Sequence, residues 1–250
     1  MSLLDVPGPV LLVHAHPDDE TLATGALIAH LTARGTEVAV LTATRGEMGE
    51  VVPGSLPADI GPDQLDAARE AELAGALAEL GVQHAAFLGT PPARVPGLPP
   101  RRYRDSGMRW VTPIRAGAAL ESDHRSLTAA ALDDVVADLC AWVEVLRPSL
   151  LIGYDVDGSY GHPDHVRCHH ATAAAARRCG LPALEVVSGE QADDAEWLEL
   201  AEQLPVVLAA LRHHASQVTV RTRPDGRPEV EHVGGQRQDV LLRTGLRRMV

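Results

Sequence analysis

The stretch whose reading decides the fold is Val10–Glu20, VLLVHAHPDDE. Four apolar residues, Val10 to Val13, stop at a cluster of His14, His16, Pro17, Asp18, Asp19 and Glu20. Helix-like spacing begins after it. A short apolar run bounded by a polar, Pro-containing break reads as a buried strand. Pro suits the first turn of a helix, and acidic side chains are favoured there by the helix dipole. Metal-binding residue types therefore sit where a strand ends and a helix starts, which is where ligands bind in open α/β sheets.

Outward from this motif, Leu22, Ala26, Ala29 and Leu31 predict a helix over 21–34, closing on Gly35. Val38 to Leu41 reads as a second strand, followed by the Gly-punctuated polar loop 44–50. A helix is expected over 65–80, a third strand over 85–88, a helix over 127–146 and a fourth strand over 150–154. That strand runs into DVDGSYGHPDH (155–165), then a helix over 165–178 and a fifth strand near Val186 and Val187. Residues 90–125, rich in Pro and Arg, show little periodicity, as functional or disordered segments do. A helix over 194–213, interrupted at Pro205, and a hairpin of Val218–Val220 with Val230–Val233 complete the chain. The β-α alternation predicts an α/β fold, a Rossmann-like, mostly parallel sheet in the order 3-2-1-4-5 with helices on both faces. Residues 1–190 are expected to form the α/β catalytic domain, and 191–250 a small helix and hairpin extension packed on it.

Composition narrows the function. The chain has 250 residues, 45% of them hydrophobic, which suits a soluble globular domain with a substantial core. No apolar run approaches the ~20 residues of a bilayer span, and no basic segment precedes the first apolar stretch, so a cytoplasmic protein is expected. A net charge of −12 argues against nucleic acid as a partner. All 22 basic residues are Arg, which excludes lysine Schiff-base and P-loop chemistry. The turn after the first strand lacks G-x-G-x-x-G, excluding a dinucleotide cradle. Cys140, Cys168 and Cys179, odd in number and without C-x-x-C spacing, read as reduced, packed thiols. A small-molecule substrate is the expected partner, with neither nucleic acid nor membrane; no particular oligomeric state is implied.

Two segments share one grammar: strand then His16-Pro-Asp-Asp19, and strand then His162-Pro-Asp-His165. Residues three apart in the first turn of a helix share a face and can converge on one ion. His and carboxylate together suit Zn²⁺ or Fe²⁺, and three protein ligands leave an open, catalytic position. One such motif alone is more often structural or solvated than metal-binding. Two of them, each at a strand end, meet at the topological switch point if the first and fourth strands are neighbours. Among the other histidines, His30, His84, His124, His169, His170 and His232 read as surface or core residues, and His213 and His214 lie near a helix end.

HAHPDDE and YGHPDH together resemble the LmbE/PIG-L family of metal-dependent N-deacetylases. RGEMGEV (45–51), RDSGM (104–108), YDVDGSYGHPDH (154–165) and HASQV (214–218) resemble its N-acetyl-glucosaminyl-inositol deacetylase and mycothiol S-conjugate amidase branch. The resemblance implies His16, Asp19 and His165 as metal ligands, with zinc the usual ion and Fe²⁺ an alternative. It implies Asp18 as general base, His162 as stabiliser of the oxyanion, Asp164 as the partner that holds His162 protonated, and Tyr160 as a group closing over the substrate. Glu50, Arg69 and Asp105 would bind the sugar. It gives His14 no role. The implied reaction is hydrolysis of an acetamide on a glucosamine-type sugar, with the conjugate amidase or another amino-sugar deacetylase as alternatives. Residues 180–195 depart from the branch: they are short and acidic, with Glu185, Glu190, Asp193 and Asp194, so one wall of the pocket should be reduced.

Overall fold

Val10 and Leu12 face one side of the central sheet, Leu11 and Val13 the other, and both sides are covered. The computed structural model describes residues 2–112, 115–119, 122–189 and 192–249; Glu190 falls outside them. Strand β1 (Val10–His14) runs parallel between β2 (Val38–Thr42) and β6 (Leu150–Tyr154), with Val10 opposite both Val38 and Leu150. Every residue of these three strands is buried, as their unbroken apolar runs require. Burying a leucine such as Leu11 or Leu12 contributes roughly 1.5–3 kcal/mol.

The seven-stranded sheet has the order β3-β2-β1-β6-β7-β12-β8, with β3 (His84–Phe87), β7 (Ala183–Val186), β8 (Glu196–Glu199) and β12 (Arg243–Arg248). The first five are parallel and match the expected 3-2-1-4-5. Helices α1 (Asp19–Ala33), α2 (Pro62–Glu79) and α5 (Leu204–Leu211) cover one face through Leu27, Ile28, Leu73, Leu77, Val207 and Leu211. Helices α3 (Leu132–Leu146) and α4 (Pro163–Cys179) cover the other, packing Leu139, Val143, Cys168 and Ala171 on Leu11 and Val13. No helix among the described residues is long and apolar enough to cross a membrane.

The structure corrects two helix expectations. Residues 127–146 do not form one helix: a 3-10 turn at 127–129 precedes α3, with Ala130 and Ala131 extended between them. Tertiary hydrogen bonds from the RDSGM segment override the local pattern, because Leu127 N donates to Arg104 O at 2.8 Å and Thr128 N to Ser106 Oγ at 3.1 Å. Nor is 194–213 helical throughout. It begins with β8, passes through a 3-10 turn at 201–203, and becomes helical only over α5. Pro205 lies in the first turn of α5, where a missing N–H loses nothing. Strand β8 exists because of β12: Trp197 lies opposite Gly245, and the Arg243 guanidinium sits 4.0 Å over its ring. A Cβ at Gly245 would meet that indole at 2.7 Å.

The acidic segment 180–195 is answered by β12. Arg247 donates to Glu185 Oε1 at 2.6 Å and lies 3.4 Å from Asp194. Strands β9 (Val218–Thr222), β10 (Pro228–His232) and β11 (Arg237–Asp239) form a separate antiparallel sheet, with Val220 opposite Val230 as the expected hairpin requires. Within the Pro- and Arg-rich segment, β4 (Met108–Thr112) and β5 (Arg115–Ala118) form a second hairpin. Ala116 N donates to Tyr160 O at 2.9 Å, tying that hairpin to the loop before α4.

Candidate metal and catalytic site

Adjacent pairing of β1 and β6 brings the two His-Pro-Asp motifs together at the carboxyl ends of the strands. The i, i+3 spacing does not work through a shared helical face, as the sequence suggests. His16 precedes α1, and Asp18 is its N-cap, with φ 112 and ψ −31. The chain doubles back at Asp18, so Asp19 Oδ2 accepts from His16 N at 2.9 Å and lies 3.2 Å from His16 Nδ1. In the second motif His162 is the N-cap of α4 and Pro163 opens its first turn.

His165 Nε2 lies 3.3 Å from the same Asp19 Oδ2. Both ring nitrogens of His165 are buried without a hydrogen-bond partner, although the residue is only 2% exposed. Ligand atoms held about 2.0–2.1 Å from a tetrahedral ion are themselves about 3.3–3.4 Å apart. His16 Nδ1 and His165 Nε2 each stand at about that spacing from Asp19 Oδ2, and the His165 nitrogens lack a hydrogen-bond partner, so these donor types fit such an ion.

Among the described residues, two groups of possible metal donors share His16, one with His162 and His165 and the other with Asp105 and Asp164, and neither contains the expected ligand Asp19. His16 Nε2 is 3.2 Å from Asp164 Oδ2 and 3.5 Å from Asp105 Oδ1. Burial depresses the His16 pKa, but Asp105, Asp164 and Asp19 together hold it well above its ordinary value. A carboxylate on the far nitrogen of a ligating histidine fixes its orientation and basicity.

That geometry corrects the role expected of Asp164. Its carboxylate turns to His16 and to Ser106, accepting Ser106 N at 2.8 Å and Ser106 Oγ at 2.5 Å. Its contact with His162 is through the backbone: Asp164 N donates to His162 Nδ1 at 3.2 Å. Burial, then His16 and His165, push His162 down to about 2, which favours the neutral ring, and the Asp164 N–H on Nδ1 favours the tautomer with the proton on Nε2. The expected protonated His162 is not what the site favours.

Burial, with Asp19 next to it, pushes Asp18 up to about 8. Its backbone N donates to Glu20 Oε2 at 2.9 Å, and Glu20 Oε1 meets His214 Nε2 at 2.8 Å and the Thr21 hydroxyl. Glu20 and His214 are fully buried. His14 packs edge-on to Tyr154 with Nε2 at 3.0 Å from Thr24 Oγ1, consistent with its having no assigned role.

The sugar-binding candidates differ in placement. Arg69 is fully buried and donates through Nη2 to Gly49 O and Glu50 O at 2.9 and 3.0 Å, while its Nε and Nη1 have no partner. The glycines of RGEMGE admit it: a Cβ at Gly46, where φ is +69, would come within 3.1 Å of Nη1. Glu50 is exposed and meets Arg69 only through its carbonyl. Asp105 already accepts Gly107 N at 2.7 Å and Met48 N at 3.2 Å, and the pull of His16 outweighs its burial and holds it well below the usual carboxylate range. Tyr160 stands partly exposed beside the cluster, its ring 5.3 Å from that of His165.

Sequence reasoning missed three contributors. Tyr154 donates to Asp19 Oδ2 at 2.8 Å, accepts Ala15 N at 3.0 Å, and stacks on His165 with ring centroids 4.3 Å apart. Ser106 and Glu20 hold Asp164 and Asp18 as described above. RDSGM and HPDDE contain the latter two, but nothing in spacing alone identifies their partners.

A family model described as PIG-L, GlcNAc-PI de-N-acetylase, matches residues 11–176. The chain belongs to the PIG-L family. The family expected from the paired His-Pro-Asp motifs is thus borne out. Among curated PIG-L relatives, a 1D-myo-inositol 2-acetamido-2-deoxy-alpha-D-glucopyranoside deacetylase of Kineococcus radiotolerans is 46% identical over 175 residues, covering 70% of this chain and 46% of that protein. A deacetylase of the same name from Saccharopolyspora erythraea is 38% identical over 249 residues, covering 86% and 79%. Among solved structures, the N,N'-diacetylchitobiose deacetylase of Pyrococcus horikoshii matches with TM-score 0.59 at 20% identity, covering 84% of this chain and 70% of that one. The 4-carboxy-2-hydroxymuconate hydratase of Pseudomonas putida matches with TM-score 0.60 at 16% identity, covering 98% and 97%. At such identities the likeness is one of fold. A hydratase among the PIG-L-like folds shows that the fold does not choose the reaction.

Proposed function

We propose that this PIG-L member is a metal-dependent N-deacetylase acting on an N-acetylglucosamine-type glycoside, with N-acetyl-glucosaminyl-inositol as its favoured substrate. The reading rests on one observation above the others: His16 Nδ1 and His165 Nε2 lie 3.2 and 3.3 Å from the same Asp19 Oδ2, beside Asp18, and both His165 nitrogens lack a hydrogen-bond partner. The names of the curated relatives support the substrate.

Zinc held by His16, Asp19 and His165 would act as a Lewis acid, acidifying water and polarising the acetamide carbonyl. Asp18 takes the proton from the attacking water and delivers it to the departing amine nitrogen. Burial raises the Asp18 pKa, and a bound cation would lower it and favour the carboxylate form that accepts this proton. His162 donates from Nε2 to the carbonyl oxygen as negative charge develops there, its Nδ1 being occupied by Asp164 N. Acetate and the free amine are the products. Arg69, whose buried Nε and Nη1 have no hydrogen-bond partner, is the cation we assign to substrate oxygens, together with Glu50 and Asp105.

The test is amine release by metal-loaded protein on N-acetyl-glucosaminyl-inositol, free N-acetylglucosamine, diacetylchitobiose and a mycothiol conjugate, each with a chelator control. Chelator-sensitive turnover strongest on the inositol glycoside is expected. Preference for another amino sugar would keep the chemistry and move the substrate; no turnover on any would sink the proposal. Asp18→Asn should lower kcat by about 10²–10⁴-fold while metal content by elemental analysis stays unchanged.

A further inference from the structure

Two of the three cysteines meet at the far end of α4 from the catalytic cluster. Cys140, on α3, and Cys179, the last residue of α4, have their Sγ atoms 3.1 Å apart. Cys140 is buried and Cys179 partly exposed, and both line one surface groove of about 750 Å³. Arg147 and Arg178 line the same groove with Glu144 as its acidic member, so guanidinium groups outnumber carboxylates there. Cys168 is packed in the core at 2% exposure. The 17 residues of α4 put about 25 Å between this groove and His162.

We propose that Cys140 and Cys179 are a reversible dithiol–disulfide pair, oxidised by a low-molecular-weight, carboxylate-bearing disulfide that enters this groove. The partly exposed Cys179 attacks first. Its thiolate displaces one sulfur of the incoming disulfide, forming a mixed disulfide and releasing one small thiol. Cys140 then attacks the Cys179 sulfur, closing the protein disulfide and releasing the second small thiol. Two protein thiols and one small disulfide thus become one protein disulfide and two small thiols, and reversal returns the starting pair.

The geometry supports this order. A disulfide needs sulfurs about 2.05 Å apart, so closure asks for an approach of about 1 Å between the middle of α3 and the last residue of α4. Burial and the facing Cys179 push the Cys140 thiol up to about 12, so Cys140 is not the sulfur that attacks first. Cys179 ends its helix against Gly180, in the left-handed conformation at φ 68, where the chain turns away. Cys168 offers a thiol of the same chain outside the groove. The pair stands independently of the deacetylase reading, because no atom of it touches the metal or catalytic residues.

The experiment treats the folded, reduced protein with oxidised glutathione, then blocks free thiols and maps peptides without reduction. A Cys140–Cys179 cross-linked peptide is expected, with loss of two hydrogens from the intact mass and Cys168 left as a free thiol. Cys140→Ser should stop at a glutathione adduct on Cys179, and Cys179→Ser should give no adduct. Oxidised wild type should unfold about 5 °C or more above reduced wild type, reversibly on adding dithiothreitol, because the bridge restrains the unfolded chain. A stable Cys179 adduct in wild type without cross-link would overturn the proposal, as would both thiols remaining free. Cross-linking through Cys168 would overturn it too.

Discussion

Tyr154 holds its hydroxyl between Asp19 Oδ2 and Ala15 N, and its ring lies flat on His165. It therefore fixes one proposed ligand by hydrogen bond and another by stacking. Tyr154→Phe keeps the stack and removes the hydrogen bond, so metal affinity should fall by about 10–100-fold in a competitive chelator titration. An unchanged affinity would show that Asp19 is held by His16 N alone. Its place at the end of an apolar strand gives the residue no role in sequence, because its partners arrive only when β1 and β6 pair. Asp164 shows the converse. Its place in the motif suggested His162 as partner, but residues i and i+2 do not face each other on a helix, and His16 on the neighbouring strand end does face it. His16, Asp18, Asp19, His162 and His165 were legible as candidates because a repeated motif at two strand ends is local information.

At the scale of elements, the first turn of α1 is tied to the distant HASQV segment. Burial lowers the His214 pKa, but Glu20, in contact at 2.8 Å, more than restores it, leaving the histidine above its ordinary 6.5. A histidine raised by folding contributes stability in full below the unfolded pKa, and loses it as pH rises through the folded one. Metal-free protein should therefore show a urea midpoint that falls as pH is raised above about 6.5, and His214→Asn should lack that portion of the fall. Equal pH dependence in the variant would mean that the Glu20–His214 pair is not its source. The three central strands could be read from sequence because each is a continuous apolar run. Strands β8 and β12 could not. Trp197 needs Gly245 opposite it, and neither segment carries a local pattern that announces the other.

In the whole molecule, the sheet divides the interior into two cores, and β12 is what joins its parallel part to β8. It pairs antiparallel with β7 through Leu246 opposite Val186, and with β8 through Gly245 opposite Trp197. Removing residues 243–249 would leave β7 as a bare edge and bury nothing against Leu184 and Val186. Such a truncation should elute as aggregate in size-exclusion chromatography and lose its cooperative unfolding transition. A monomeric, cooperatively folding truncation would show that the five parallel strands suffice. One backbone angle has a consequence for this global balance. Asp18 occupies φ 112, a conformation that glycine adopts freely and a residue with a side chain resists, at a cost of about 1–3 kcal/mol. Asp18→Gly should then unfold at higher urea than Asp18→Asn, and higher than the parent, while turning nothing over. The protein would be sturdier without its proposed general base, so stability and the proposed catalysis pull in opposite directions at this one residue.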